Sequence, residues 1–537
     1  MNTRQYAAIA AALVCAAASA QSLSTEVVVD RTVLPAERAA SRPATVTPAL
    51  VLPQATTIDL ATSDYTALSP LTRAYSPLSP VAAPGLSPLS PYRGYAVIGY
   101  GPLYNLGLSA GYRAINTGRT RLGIHAQFDG ESYKGVDTDD KMKYNGARIG
   151  ADLNTAVGAS SHLIAGVSVG YSTSATPAFT ESQSLVNGRI GALWLSSVGK
   201  LSYKAGASVE FDSYGELKEL YYGSLPEIHK PRQQTYGFEL GAAYPLSGVG
   251  RLGLDVEGEF MSTTDCETLG AVGLTPHYTL RTADVSARIG LKVDFATGGE
   301  GSKVHVMPDV HIAWTPSGSP VAVYADATGG TRLNTFASLR QVSPYLRGAG
   351  CYGRSDVPFD IGAGIVVGPV SGFTARIYGG YAKADEWLMM SDLAPIMPFV
   401  ATDISGWRAG VELGYDFGRL VTVKAGAQIA SSGDSHAWYQ WRDRARMVVD
   451  ASLAVHPVER LDITLGYQWR DRRRAADVHG FASLGCVSDL SASAAYGIND
   501  AVSVFARGEN LFGRRYSVLP DVDAQGAAGM LGISVKF

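Results

Sequence analysis

The ten residues Leu461-Asp462-Ile463-Thr464-Leu465-Gly466-Tyr467-Gln468-Trp469-Arg470 alternate without a break. In an extended chain Leu461, Ile463, Leu465, Tyr467 and Trp469 share one face, and Asp462, Thr464, Gly466, Gln468 and Arg470 share the other. At about 3.3 Å per residue, and tilted as in a barrel, such a segment crosses a bilayer's hydrocarbon core. The pattern recurs in Leu122, Ile124, Ala126 and Phe128 against Gly123, His125, Gln127 and Asp129. It recurs again in Val421, Val423, Ala425, Ala427 and Ile429 against Thr422, Lys424, Gly426 and Gln428, and it repeats along most of residues 92–537.

A soluble β-sandwich also alternates, but its wet face should be rich in charge and its loops alike at both ends. Here short turns such as Asn116-Thr117-Gly118, Val198-Gly199-Lys200 and Gly497-Ile498-Asn499-Asp500 alternate with long polar segments such as YKGVDTDDKMKY and DSHAWYQWRDRAR. That asymmetry is the one expected of an outer-membrane barrel with periplasmic turns and outer loops. The final residues agree, since Leu531, Ile533, Val535 and Phe537 oppose Met530, Gly532, Ser534 and Lys536, and only closure removes the open edge such a strand would leave. About 21 segments alternate clearly, and an even number is expected, so the fold class is an all-β transmembrane antiparallel barrel of roughly 20–22 strands, with 22 preferred. The alternation fails between Arg332 and Pro358.

At the other end, MNTRQYAAIAAALVCAAASAQ has an arginine, an apolar stretch from Tyr6 to Ala18 and the small-residue site Ala18-Ser19-Ala20, the layout of a cleavable signal peptide over residues 1–20. Val14 before Cys15 does not suit a lipoprotein site. With 46% hydrophobic and 17% charged residues, 60 glycines, 28 tyrosines and a mean hydropathy of +0.04, the chain is too polar for a helical membrane protein and over-uses glycine and tyrosine for a globular one. A net charge of −3 argues against nucleic acid as a partner. Beyond the signal only Cys266, Cys351 and Cys486 remain, an odd number that permits a single disulfide and requires none.

The ending ENLFGRRYSVLPDVDAQGAAGMLGISVKF resembles the last hairpin of TonB-dependent outer-membrane receptors, through Asn510, Leu511, Phe512, Tyr516 and Phe537. The resemblance covers the barrel, residues 92–537. It implies passage, uptake or capture of a solute at the outer membrane of a Gram-negative bacterium, with outer-membrane lipid and lipopolysaccharide around the wall. It also implies that barrel-assembly machinery reads Phe537 as its signal. The resemblance does not reach the beginning: residues 21–91 are too few for a globular plug domain. Ser-Pro pairs at Ser69, Ser76, Ser79, Ser87 and Ser90 make this a proline-rich leader, periplasmic or lumenal. The chain therefore resembles plugless relatives of the receptors. Thr25, Glu26, Val27, Val28 and Val29 resemble the short box that pairs with TonB, or another periplasmic partner, by strand addition.

No residue carries catalysis, and neither a cofactor nor a metal site is expected. Gly348, Gly350 and Gly353 match GxGxxG without a strand-turn-helix around them, and Ser435 lacks an elbow motif. His125 is expected to line the pore. Arg442, Arg444, Arg446, Arg472, Arg473 and Arg474 gather at predicted outer strand ends, where guanidinium groups suit lipopolysaccharide phosphates, loop carboxylates or an anionic solute. A non-transporting structural or accessory barrel of an outer-membrane assembly or surface complex is the alternative function. A lumen of this width needs an obstruction, and three are available: the leader, the irregular segment 332–358 and inward-folded outer loops.

Overall fold

The structure, a computed structural model, describes residues 92–102, 104–134, 141–176, 182–215, 230–246, 248–299, 301–340, 344–345, 351–390, 399–418, 420–432, 445–477, 480–519 and 522–537. The expected signal peptide, the leader and the TonB-box-like residues Thr25 to Val29 lie outside them.

Half of the wall is β1 (Gly94–Gly101), β2 (Asn105–Asn116), β3 (Thr120–Lys134), β4 (Lys141–Val157), β5 (Ser161–Ala175), β6 (Gln183–Val198), β7 (Leu201–Tyr214), β8 (Arg232–Pro245), β9 (Gly250–Thr263), β10 (Leu269–Arg281) and β11 (Val285–Thr297). Then come β12 (Lys303–Trp314), β13 (Val321–Leu333), the short helix α1 (Phe336–Arg340), β14 (Arg354–Val370), β15 (Phe373–Met390), β16 (Phe399–Phe417) and β17 (Val421–Ser432). The chain ends with β18 (Met447–Val458), β19 (Leu461–Asp477), β20 (Gly480–Gly497), β21 (Val502–Glu509), the small hairpin β22 (Ser517–Leu519) and β23 (Val522–Asp523), and β24 (Ala528–Lys536). All but β22 and β23 belong to one 22-stranded sheet in which every strand pairs antiparallel with its chain neighbour. β24 pairs on one side with β21 and on the other with β1, from Tyr95↔Lys536 to Tyr100↔Leu531, and so closes the ring. The preferred count of 22 is the observed one.

Closure satisfies the backbone groups that a membrane would leave unpaired. At the seam the Phe537 carbonyl accepts from the Arg93 and Gly94 amides at 2.8 and 2.7 Å. The Phe537 ring lies over Gly94, where a Cβ would stand 2.4 Å from it. In the same way the Tyr324 side chain lies over Gly364 on the next strand, 2.6 Å from where a Cβ would be. This cross-strand use of glycine as a seat for an aromatic ring accounts for the excess of both residue types.

Alternation delivers two unlike faces. Ile124, Ile149, Ile190, Leu465, Ile429 and Leu531 stand exposed on the outside, while their neighbours point into the lumen, where His125 meets Asp152 and Gln468 donates to Asp450. Turns at 117–119, 158–160, 199–200 and 371–372 gather at one end of the barrel, and β7, β13 and β17 end at the other, with Tyr214, Leu333 and Ser432. Among the described residues of the irregular stretch 332–358 there is no further strand: Arg332 and Leu333 finish β13, and β14 begins at Arg354. Of the three cysteines, Cys266 and Cys351 form a disulfide with Cα atoms 5.7 Å apart, and Cys486 is free and exposed.

Candidate functional site: the mouth and the lumen

The segment leaving β13 crosses the mouth of the barrel at its long-loop end. Thr335 caps α1 by accepting the Ser338 amide at 3.1 Å, and Phe336 and Leu339 are buried. The Phe336 amide donates to Gln233 on β8 at 2.6 Å, and its ring meets Tyr214 edge-on at 5.4 Å. The Arg340 guanidinium donates to Asp212 on β7 at 2.5 Å. Farther along, the Tyr345 hydroxyl donates to Glu131 on β3, and its ring meets Tyr144 on β4 at 6.3 Å. In a ring of 22 strands β14 and β4 stand ten apart, close to diametrically opposite. The return path is equally anchored: Tyr352 packs on Phe399 at 5.6 Å, its carbonyl accepts from Asn334 at 3.0 Å, and burial pushes its phenol well above the ordinary range. Cys351 ties this end to Cys266 in the β9–β10 connection. Tyr133, Met142, Leu185, Leu388 and Ala524 fill the rest of the cluster.

Below the mouth, charged side chains form a belt along the lumen. Glu239 on β8 pairs with Lys204 on β7 at 3.1 Å, Lys204 with Asp255 on β9 at 3.8 Å, and Asp255 with Arg288 on β11 at 3.1 Å. Arg288 continues to Asp309 at 2.7 Å, and His311 bridges Asp309 and Asp326 at 3.5 and 2.9 Å. Next to this belt Arg376 stacks over Tyr324 and Tyr378, 5.1 and 5.2 Å from their centroids, and Arg408 pairs with Asp360 at 2.7 Å. On the β2–β9 wall lies a cavity of about 1000 Å³ lined by Arg121, His125, Arg148, Asp152, Arg189, Glu239, Glu257 and Glu259 among others. His125 is thus a lumen residue, as its place in the alternation requires.

Of the outer-rim arginines, only Arg446 has its side chain among the described residues. Arg446 is exposed just before β18, and its carbonyl accepts the Ala430 amide at 2.9 Å. Arg472, Arg473 and Arg474 have their backbone in β19, with side chains outside the described residues, as are Arg442 and Arg444 altogether. Sequence reasoning passed over Asp212, Glu131, Arg340 and Tyr345. The available signal was composition, because Phe336, Leu339, Tyr345 and Tyr352 make an outer connection too apolar for a solvated loop.

No protein-family model matches the sequence, and no curated protein is similar to it. Solved structures match the barrel. The FrpB iron transporter from Neisseria meningitidis superposes with a TM-score of 0.67 at 12% identity, covering 84% of this chain and 82% of that one. The siderophore receptor PirA from Acinetobacter baumannii gives 0.65 at 10% identity over 83% and 80%. The copper transporter OprC gives 0.63 at 11% identity over 83% and 82%. Such identities establish the fold: the resemblance read from Asn510 to Phe537 holds, and this chain has the 22-strand barrel of TonB-dependent outer-membrane receptors.

Proposed function

We propose that the protein is an outer-membrane barrel for passage, uptake or capture of a solute, with the segment between β13 and β14 as the element that closes its mouth. The observation carrying this reading is the crossing itself: a connection that starts at β13 is fastened to the far wall through Tyr345 and Glu131 and midway through Arg340 and Asp212. A merely structural barrel has no need of a wide lumen with a fastened cover and a charged lining. The named neighbours, iron, siderophore and copper proteins, support uptake without indicating the solute.

To this proposal also belong export by a cleaved signal peptide, a leader over 21–91 in place of a globular plug, and engagement of TonB by Thr25 to Val29. Single-channel recording of the purified full chain tests the closure. The parent should show small, infrequent steps, and Arg340→Ala with Tyr345→Phe should show frequent wide ones; identical records from parent and variant would count against a closed lumen. Capture of TonB's periplasmic domain by the full chain, lost when Val27 and Val29 become proline, tests the leader.

A further inference from the structure

We infer that the cavity on the β2–β9 wall takes a zwitterionic solute of short-peptide size, its carboxylate on Arg148 and Arg189 and its ammonium on Glu259. The inference rests on the capture reading above and names the class of solute. Arg121, Arg148 and Arg189 project into the lumen, since the adjoining Leu122, Ile149 and Ile190 belong to the outer face, the two isoleucines 58% exposed there. All three line the cavity, and among the described residues none makes an ion pair or a side-chain hydrogen bond. Glu259 likewise lines the cavity with no ion pair or side-chain hydrogen bond, the nearest opposite charge acting on it being that of Arg332. The other charges of the cavity are engaged: Asp152 by His125 at 3.2 Å, Glu239 by Lys204 at 3.1 Å, and Glu257 by Lys292. Among the lining residues, the charges without an ion pair are therefore segregated, with guanidinium groups on β3, β4 and β6 and a carboxylate on β9, while Glu210 on β7, level with Arg189, lies outside the lining.

Register gives the spacing. Arg148 is level with Gly170 and, through it, with Asn187, two residues above Arg189 on β6. At about 4.8 Å per strand and 3.3 Å per residue the two Cα atoms lie about 12 Å apart, within the joint reach of two arginine arms for one carboxylate. Arg189 is level with Glu210, Thr235 and Met261 in turn, and Glu259 stands two residues below Met261. That places Glu259 about 16 Å from Arg189 along the wall, and side chains reaching toward each other leave roughly 7 Å between the charged groups, the length of an extended dipeptide or of a tripeptide short of full extension. Charge-assisted hydrogen bonds at both ends would fix the solute's direction, which a cavity of one sign does not do.

Saturation-transfer NMR on the full chain in detergent micelles tests this without requiring passage, so its failure is distinguishable from failure of the closure reading. The probes are trialanine with free termini, N-acetyl-trialanine and trialanine amide. Free trialanine should bind saturably, and capping either end should weaken it at least five-fold. Arg148→Gln with Arg189→Gln should erase the advantage of the free carboxylate and keep that of the free amine; Glu259→Gln should do the reverse; Arg148→Lys should retain most of the parent's preference. Absence of binding, equal binding of the three probes, or variants that leave the profile unchanged would each overturn the inference.

Discussion

Removing the Arg340 guanidinium should open the mouth and leave the wall intact. Asp212 has only 3% of its side chain exposed and Arg340 17%, so their contact is a nearly buried ion pair. Taking away one partner of such a pair leaves a buried charge uncompensated and costs about 3–5 kcal/mol. The cost falls on the closed arrangement alone, because swinging the segment out returns Asp212 to water. At a factor of ten per 1.4 kcal/mol, Arg340→Ala should raise the ratio of open to closed mouth roughly 150- to 4000-fold. β7 keeps its ladders with β6 and β8 in either state, so the barrel's resistance to heat, read as anomalous gel mobility, should not change. The discriminating variant replaces both partners, Arg340→Met with Asp212→Leu, since exchanging a buried pair for apolar groups of similar volume is close to neutral. Single-channel open probability should rise in the single variant and fall back in the double one. An Arg340→Ala record like the parent's, or a double variant as open as the single, would refute the reasoning.

Phe336→Ala, which empties a site only 1% exposed, should cost the closed mouth about 3–5 kcal/mol, seen as faster hydrogen exchange at the amides of 334–340 with no change in the wall strands. Leu465→Arg on the lipid face should destabilise the barrel by about 2–4 kcal/mol in urea titration if it lies near the bilayer midplane, while Gln468→Arg, which can pair with Asp450 across the strand, should be tolerated; equal effects would mean that the faces are misassigned. Gly364→Val should displace Tyr324 from its seat and with it the Arg376 contacts at 2.9 and 2.8 Å, costing about 1–3 kcal/mol and shifting tyrosine fluorescence. Cys351→Ser removes a link spanning 85 residues, for which chain entropy sets a limit of about 4.6 kcal/mol; because the strands already hold both ends near each other, the loss should fall well below that and appear as exchange at 334–340.

The wall was legible because its physics is local and periodic. Leu465 and Gln468 declare opposite solvents within four residues, and the same rule, repeated, yields the number of strands to within one before parity is applied. The mouth obeys no such rule. Phe336 is paired with Tyr214 and Tyr345 with Glu131 by a path over the top of the barrel, and neither pairing has a period or a fixed spacing in the chain. The alternation could only report that something else happens between Arg332 and Pro358. The disulfide shows the same limit, since three cysteines permit three pairs, and only the return of the segment toward the β9–β10 connection selects Cys266 with Cys351. The lumen stands between these cases: alternation puts Arg148, Arg189 and Glu259 inside, but which of them stay unpaired depends on register across several strands.

The two parts of the structure are also separable in energy. Each wall strand is fixed by backbone hydrogen bonds to both neighbours, and in a hydrocarbon solvent those bonds have no competitor, so the wall does not need the mouth in order to stand. Among its described residues the crossing segment has no strand ladder, only one short helix. It is held by a few side chains, Phe336, Arg340, Tyr345 and Tyr352, together with one disulfide. Contacts of that kind sit at the low end of a protein's range of local stabilities, where opening costs far less than global unfolding. A barrel closed this way can therefore exchange open and closed mouths over an unchanged wall, whereas closure by a strand of the sheet would tie every opening to rupture of the ring.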